Sequence, residues 1–218
     1  MNLDFQTSLF DDLDADPLIG ELGGTVERTE LGDGAWVDIR PGWVGNSDAL
    51  FERLALDVPW RADRREMYDR VVDVPRLVSH YGPGSAYPDP LLTRAQDALN
   101  DHYGRPAGQV FSTAGLCFYR TGGDSVAWHG DRVGRTIDRD TMVAIVSVGA
   151  ARTLSVRRKS VPGGTERTSG GSLRFPVGHG DLIVMGGSCQ RTHEHAILKT
   201  KQAVGPRISV QFRPLWPK

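Results

Sequence analysis

Cysteine is scarce in this chain, and the scarcity excludes whole classes of protein. Only Cys117 and Cys189 occur among 218 residues, with no Cys-x-x-Cys pair. Neither a zinc ribbon nor a disulfide scaffold can be built from them, and two reduced thiols are the plain reading. No run of about 18 apolar residues is present to span a membrane. The opening MNLDFQTSLFDDLDADPLIG is acidic where a secretory leader is basic and then apolar, so a cytoplasmic protein without membrane contact is expected. Internal repeats are also lacking. The length suits one domain with a sizeable core, and nothing in the pattern calls for an obligate dimer, so a monomer is expected.

The small net charge of -1 conceals an asymmetry. Residues 1–60 hold 13 Asp plus Glu against Arg28, Arg40 and Arg53, a net of -10, which leaves residues 61–218 at +9. A basic body suits a polyanionic partner, because neutralising phosphates releases counterions. Arginines scattered over an ordinary solvated surface would give the same count.

Two regions follow from the hydrophobic pattern. Before about residue 105 it is mixed: residues 46–58, NSDALFERLALDV, read as a capped helix stopped by Pro59. Residues 89–104, DPLLTRAQDALNDHYG, read as another, with Asp89 as cap, Pro90 in the first turn, an apolar face of Leu91, Leu92, Ala95, Ala98 and Leu99, and Gly104 at the end. From about 109 the pattern becomes short strands divided by glycine-rich turns: VFSTAGLCFYR, DSVAWH, TMVAIVSVG, TLSVRR, SLRFPV, DLIVMGG and RISVQFR. Such spacing argues an antiparallel barrel, sandwich or jelly roll. Residues 160–171, SVPGGTERTSGG, read as a long hairpin loop.

In RISVQFR, Ile208, Val210 and Phe212 share one face, while Arg207, Ser209, Gln211 and Arg213 share the other. The arginine face is either solvent or the inside of a small barrel. Inside, two guanidinium groups with no carboxylate in or beside the strand require an anionic ligand, and arginine's fork grips a carboxylate through two parallel hydrogen bonds. Elsewhere, VAWHGDRVG sets His129 and Asp131 one residue apart at a strand end, and CQRTHEHAILKT sets His193 and His195 on one face if extended. Two histidines and one carboxylate form the facial set that holds iron(II) with positions left open, and their net charge of about +1 with the metal suits an α-keto acid. Two other readings stay open: polar residues at a turn, or a structural zinc held by His129, His193 and His195.

Taken in order, VPRL then YG, FYRTGGDSVAWHGD, SVGAARTLSVRRK, GDLIVMGG, THEHA and PRISVQFR resemble an AlkB-type alkylation-repair dioxygenase, a branch of the iron(II) and 2-oxoglutarate oxygenases. The resemblance runs from about Pro75 to Arg213. It implies a mainly β (α+β) fold, a double-stranded β-helix or jelly-roll core, with helices and a substrate lid from the N-terminal half. The implied organisation is an acidic segment over residues 1–20 and one dioxygenase domain over 21–218, divided into an extension and lid (about 21–105) and a catalytic core (about 106–218). The implied metal ligands are His129, Asp131 and His195, with His193 structural. Arg207 corresponds to the residue that binds the distal carboxylate of 2-oxoglutarate, Arg213 ends the same strand near it, and Tyr119 and Ser209 occupy further co-substrate positions. Cofactors would be Fe(II), 2-oxoglutarate and O2.

The implied reaction is oxidative demethylation of N-alkylated bases of the 1-methyladenine and 3-methylcytosine type in DNA or RNA, releasing formaldehyde, succinate and CO2, in repair of alkylation damage. A base inside a duplex must first be flipped out. Arg76, Tyr81, Tyr87 and Arg132 are the expected substrate contacts, with Tyr68, Arg64, Arg65 and Arg70 as further aromatic and basic candidates. The sequence departs from the family in carrying Cys117 and Ser209 where asparagine is frequent. It also carries Val133 and Gly134 where members acting on methylated bases have acidic residues. Those departures leave open an oxygenase of the same fold acting on a protein or small molecule. Separately, Gln6, Leu9 and Phe10 in QTSLF resemble the short motif by which bacterial repair proteins bind the sliding clamp, and an acidic tail is a reasonable place for one.

Overall fold

The computed structural model describes residues 16–67, 70–131, 139–159 and 171–215. Arg132, Tyr68, the Gln6, Leu9 and Phe10 motif, and all but the last residue of the 160–171 loop lie outside them, as do the side chains of Arg64, Arg65 and Arg70.

In chain order the elements are β1 (Leu18–Ile19), β2 (Glu27–Gly32), β3 (Ala35–Arg40), β4 (Val44–Gly45), α1 (Ser47–Asp57), β5 (Arg61–Met67), β6 (Arg70–Tyr81), α2 (Pro90–Leu99), β7 (Phe111–Tyr119), β8 (Val126–His129), β9 (Val143–Gly149), β10 (Arg152–Arg158), β11 (Leu173–Val177), β12 (Asp181–Gly187), α3 (Cys189–Thr192), β13 (His193–Ile197) and β14 (Arg207–Pro214). An eight-stranded sheet runs β2-β3-β12-β9-β14-β7-β6-β5, and a four-stranded one β11-β10-β13-β8. The two sheets form the jelly-roll core. No helix among the described residues is long and apolar enough to cross a membrane.

Alternation along the central strands divides the apolar residues between two cores. Ala144, Val146 and Val148 of β9, Leu182 and Val184 of β12, and Ile208, Val210 and Phe212 of β14 join the side occupied by α1 and α2. Val143 and Ile145 of β9, with Ile183 and Met185 of β12, join the side facing the smaller sheet, with Leu154, Val156, Phe175 and Ile197. Both faces of these strands are covered, which is why VAIVSV and LIVM read as unbroken apolar runs rather than as alternating ones. Helix α2 starts as its sequence indicates: the Asp89 carboxylate accepts the Leu91 N–H at 2.8 Å, and Pro90 follows.

The N-terminal half contributes more than helices. β2 and β3 extend the large sheet beyond β12, and β6 pairs with β7 to bring β5 to its other edge. Their sequences hide this. β5 is RADRREM, without an apolar face, and β6 holds Pro75, a residue confined to positions where no ladder donor is needed.

Candidate metal and co-substrate site

A cavity of about 960 Å3 opens between the two sheets. One end is built by β8 and β13, which pair antiparallel with His195 opposite His129. The two rings lie 4.4 Å apart, and donor atoms of His129, Asp131 and His195 all fall within 4.8 Å of one another. His129 Nδ1 sits 2.9 Å from the Ala127 carbonyl, so its proton belongs there and the Nε2 lone pair is left facing Asp131, 3.6 Å away. Asp131 accepts a hydrogen bond from Arg213 Nε at its other oxygen, 2.8 Å.

Burial alone would raise the Asp131 carboxyl, but Arg213 and the two imidazoles overcome it and hold the group below its ordinary value. The His195 imidazole is pushed down to about 4, chiefly by burial and then by His129, so it is neutral at pH 7. Two imidazoles and one carboxylate are the donor set that suits iron(II). His193 is placed outside this group: its Nδ1 is 2.8 Å from the Thr192 hydroxyl, and it pairs in register with Arg158.

The far end is built on β14 and β7. Arg207 is 2% exposed, and its Nε donates to the Ser147 hydroxyl at 2.8 Å. Its guanidinium stands over the Tyr119 ring at 5.3 Å, while Nη1 has no hydrogen-bond partner among the described residues. No carboxylate among the described residues pairs with it. Burial pushes the Tyr119 hydroxyl up to about 12, Cys117 adds to this, and Arg207, Arg76 and Ser209 oppose it, so the hydroxyl remains a donor. The residues therefore fit a carboxylate at this end as they fit a divalent metal at the other. Gly149 permits the arrangement. It faces Arg207 across the ladder at φ +92°, and a Cβ there would lie 2.4 Å from the Pro206 carbonyl.

The structure thus brings Tyr119, Arg207, Ser209, Arg213 and Arg76 to the same cavity as the three donors. Arg76 Nη1 donates to the Ser125 carbonyl at 3.0 Å, and Lys199 also borders the space. Tyr81 and Tyr87 are placed elsewhere. Their rings meet edge to face at 5.7 Å, Tyr87 packs on Phe212 at 6.1 Å, and its hydroxyl accepts the Gln96 amide at 2.6 Å. Phe212 belongs to the helix-side core, so these tyrosines sit on the opposite side of the sheet from the arginine face of β14. Trp128 lies under the Arg157 guanidinium, 4.0 Å from its ring.

Sequence reasoning passed over three contributors. Ser147 could have been found as a hydroxyl within the apolar run VAIVSVG, since a buried polar group needs a partner. Gln190 and Arg152 carried no such signal. Arg152, 6% exposed, donates to the Asp124 and Leu198 carbonyls at 3.0 and 2.9 Å and to the Thr121 carbonyl at 3.3 Å, tying two rim segments together.

Two imidazoles and a carboxylate at one end, with a buried arginine at the other, are donors that fit a divalent metal and a small dianion. The chain belongs to the 2OG-Fe(II) oxygenase superfamily, whose profile matches residues 54–213; membership implies Fe(II), 2-oxoglutarate and O2. Within it the similarity is to the AlkB type. Human alpha-ketoglutarate-dependent dioxygenase alkB homolog 3 is 29% identical over 191 residues, 83% of this chain and 66% of that protein. Human DNA oxidative demethylase ALKBH2 is 26% identical over 180 residues, 78% of this chain and 69% of that protein. The chain thus spans just under two thirds of the length of alkB homolog 3. An oxidoreductase of the 2OG-Fe(II) oxygenase family from Burkholderia pseudomallei shares the fold with a TM-score of 0.56 at 12% identity, over 82% of this chain and 84% of that one. OsALKBH1 does so at 0.53 and 12%, over 86% of this chain and all of the other.

Proposed function

We propose that this chain is an iron(II)- and 2-oxoglutarate-dependent dioxygenase that oxidatively demethylates N-alkylated bases of the 1-methyladenine and 3-methylcytosine type in DNA or RNA, acting as a cytoplasmic monomer in alkylation repair. The observation that carries it is the presence in one cavity of three candidate metal donors and a buried arginine that has no carboxylate partner among the described residues. The names of the AlkB-type relatives support the nucleic-acid substrate, as does the basic balance of residues 61–218.

In this reading His129, Asp131 and His195 hold the metal. Arg207, with Tyr119 and Ser209 beside it, holds the distal carboxylate of 2-oxoglutarate, and Ser147 fixes the angle of the guanidinium. Arg213 keeps Asp131 ionised and occupies its outer oxygen, which leaves the inner one directed at the imidazoles. Iron with 2-oxoglutarate and O2 supplies, when bound, oxidation of an N-methyl carbon, with formaldehyde, succinate and CO2 as products. Ile145, Leu154, Ile183 and Ile197 supply apolar wall between the two ends. Arg76, which also lines the cavity, is assigned the contact with a flipped nucleotide.

The test is formaldehyde and succinate production from 1-methyladenine or 3-methylcytosine oligonucleotides with Fe(II) and 2-oxoglutarate. Oligonucleotide-dependent formaldehyde is expected. Val133 and Gly134, in place of acidic residues, leave open a second reading, an oxygenase acting on a protein or small molecule; succinate without formaldehyde would keep the oxygenase and turn the search to such substrates. Contact with a sliding clamp through Gln6, Leu9 and Phe10 is proposed from sequence alone. Deleting residues 1–10 abolishes clamp binding if it holds, and unchanged binding removes it.

A further inference from the structure

Gln190 does not line the cavity and offers no metal donor, yet it is 4% exposed and its side chain is committed to the site. Its Oε1 accepts the main-chain N–H of Asp131 at 3.1 Å, across 59 residues of sequence. Its Nε2 faces the Met185 sulfur at 3.9 Å, which fixes which end of the amide points at Asp131. Asp131 lies two residues beyond the end of β8 and so has no ladder partner of its own. The position of its main chain rests on this bond, as the direction of its carboxylate rests on Arg213.

The contact belongs to a wider strap. Lys159 Nζ donates to the Gln190 and Arg191 carbonyls at 2.6 and 3.1 Å, and Lys159 N donates to the Thr192 carbonyl at 2.8 Å. The turn between the two ligands presses on it. A Cβ at Gly130 would lie 2.7 Å from Lys159 Nζ and 3.0 Å from the Gln190 carbonyl, so residue 130 must be glycine or the strap must move. Since α3 leads directly into β13, one short turn ties the segment bearing His129 and Asp131 to the strand bearing His195.

We propose that Gln190 is a positioning residue for the metal centre, holding Asp131 at the distance from His195 that a single divalent ion requires. The inference rests on the reading of His129, Asp131 and His195 as the ligands. Removing a partner that orients a ligand typically weakens metal binding about ten- to hundredfold.

The experiment is a Co(II) titration of the metal-free full chain, followed by the visible absorption of the bound ion, on the wild type, Gln190→Met, Gln190→Glu and His129→Ala, with thermal melting of each metal-free form. Gln190→Met keeps the volume and loses the acceptor. It is expected to weaken Co(II) binding by about tenfold or more and to alter the absorption bands. Gln190→Glu, which retains an acceptor oxygen, is expected to stay much closer to wild type in both. Wild-type affinity and bands in Gln190→Met overturn the inference. Equal Co(II) binding by wild type and His129→Ala overturns the ligand reading instead. Should Gln190→Met not fold, Gln190→Asn, too short to reach Asp131, carries the same expectation and the same overturning result.

Discussion

The two ends of the cavity treat buried charge in opposite ways. At the end that carries the three candidate metal donors, Asp131 is met by Arg213 at 2.8 Å, so the charge of the pair is balanced within the protein. At the far end Arg207, more deeply buried, meets a serine hydroxyl and an aromatic ring but no carboxylate among the described residues. Two arginines six residues apart on one face of one strand thus have different partners. A buried charge with its partner in place organises a site, whereas one without a partner is costly until a ligand supplies it.

Five substitutions sharpen the comparison, beginning with the largest effect. His129→Ala or Asp131→Ala removes a donor from a set of three, and both formaldehyde and succinate production are expected to vanish. A normal rate in either variant, measured under saturating Fe(II), would break the assignment of the metal end. Arg213→Met removes the guanidinium that is hydrogen-bonded to Asp131 at 2.8 Å. Weaker Co(II) binding by about ten- to hundredfold is expected, and because Arg213 lowers the Asp131 pKa, the acid limb of metal binding should move to higher pH. An unmoved limb would show that Arg213 serves the co-substrate rather than the ligand.

His195 gives a third contrast, without metal. Its folded value of about 4 lies below the ordinary 6.5. Between those values the unfolded chain holds a proton that the folded one does not, so stability is complete above pH 6.5 and falls as pH drops toward 4, by on the order of 3 kcal/mol. Urea denaturation of the metal-free protein should show this slope, and His195→Asn should flatten it; equal slopes would mean the imidazole is not buried neutral. The smallest effect is expected of Tyr87→Phe, which removes an acceptor on the helix side of the sheet. About 1 kcal/mol of stability should be lost with activity unchanged, and a change in affinity for the oligonucleotide would return Tyr87 to the substrate surface.

Much of this was legible in the sequence, for a local reason. Period-two alternation in RISVQFR, and apolar runs between glycine turns after residue 109, depend only on neighbours in the chain. RADRREM and the Pro75-bearing strand β6 were not legible as strands, because what makes them strands is pairing at a sheet edge, a tertiary fact. The same limit explains the site. Arg207 and Arg213 share a face, and the strand pattern by itself asks an anionic partner of both; the partner that meets Arg213 is Asp131, 82 residues before it. Tyr81 and Tyr87 matched an aromatic and basic composition suited to nucleic acid, but composition does not say which side of a sheet a ring will take. Ser147 had a readable signature, whereas Gln190 lies on a single helical turn with no periodicity to mark it.

The most direct test of the account is a calorimetric titration of 2-oxoglutarate into Mn(II)-loaded wild type, Arg207→Met and Arg213→Met. Loss of the charged contacts at Arg207 should cost about 3 kcal/mol, on the order of a hundredfold in affinity. Arg213→Met, once saturated with Mn(II), should bind the co-substrate far more nearly as wild type does. Equal binding by Arg207→Met and wild type would contradict the central claim that the unbalanced end of the cavity is built for the dicarboxylate.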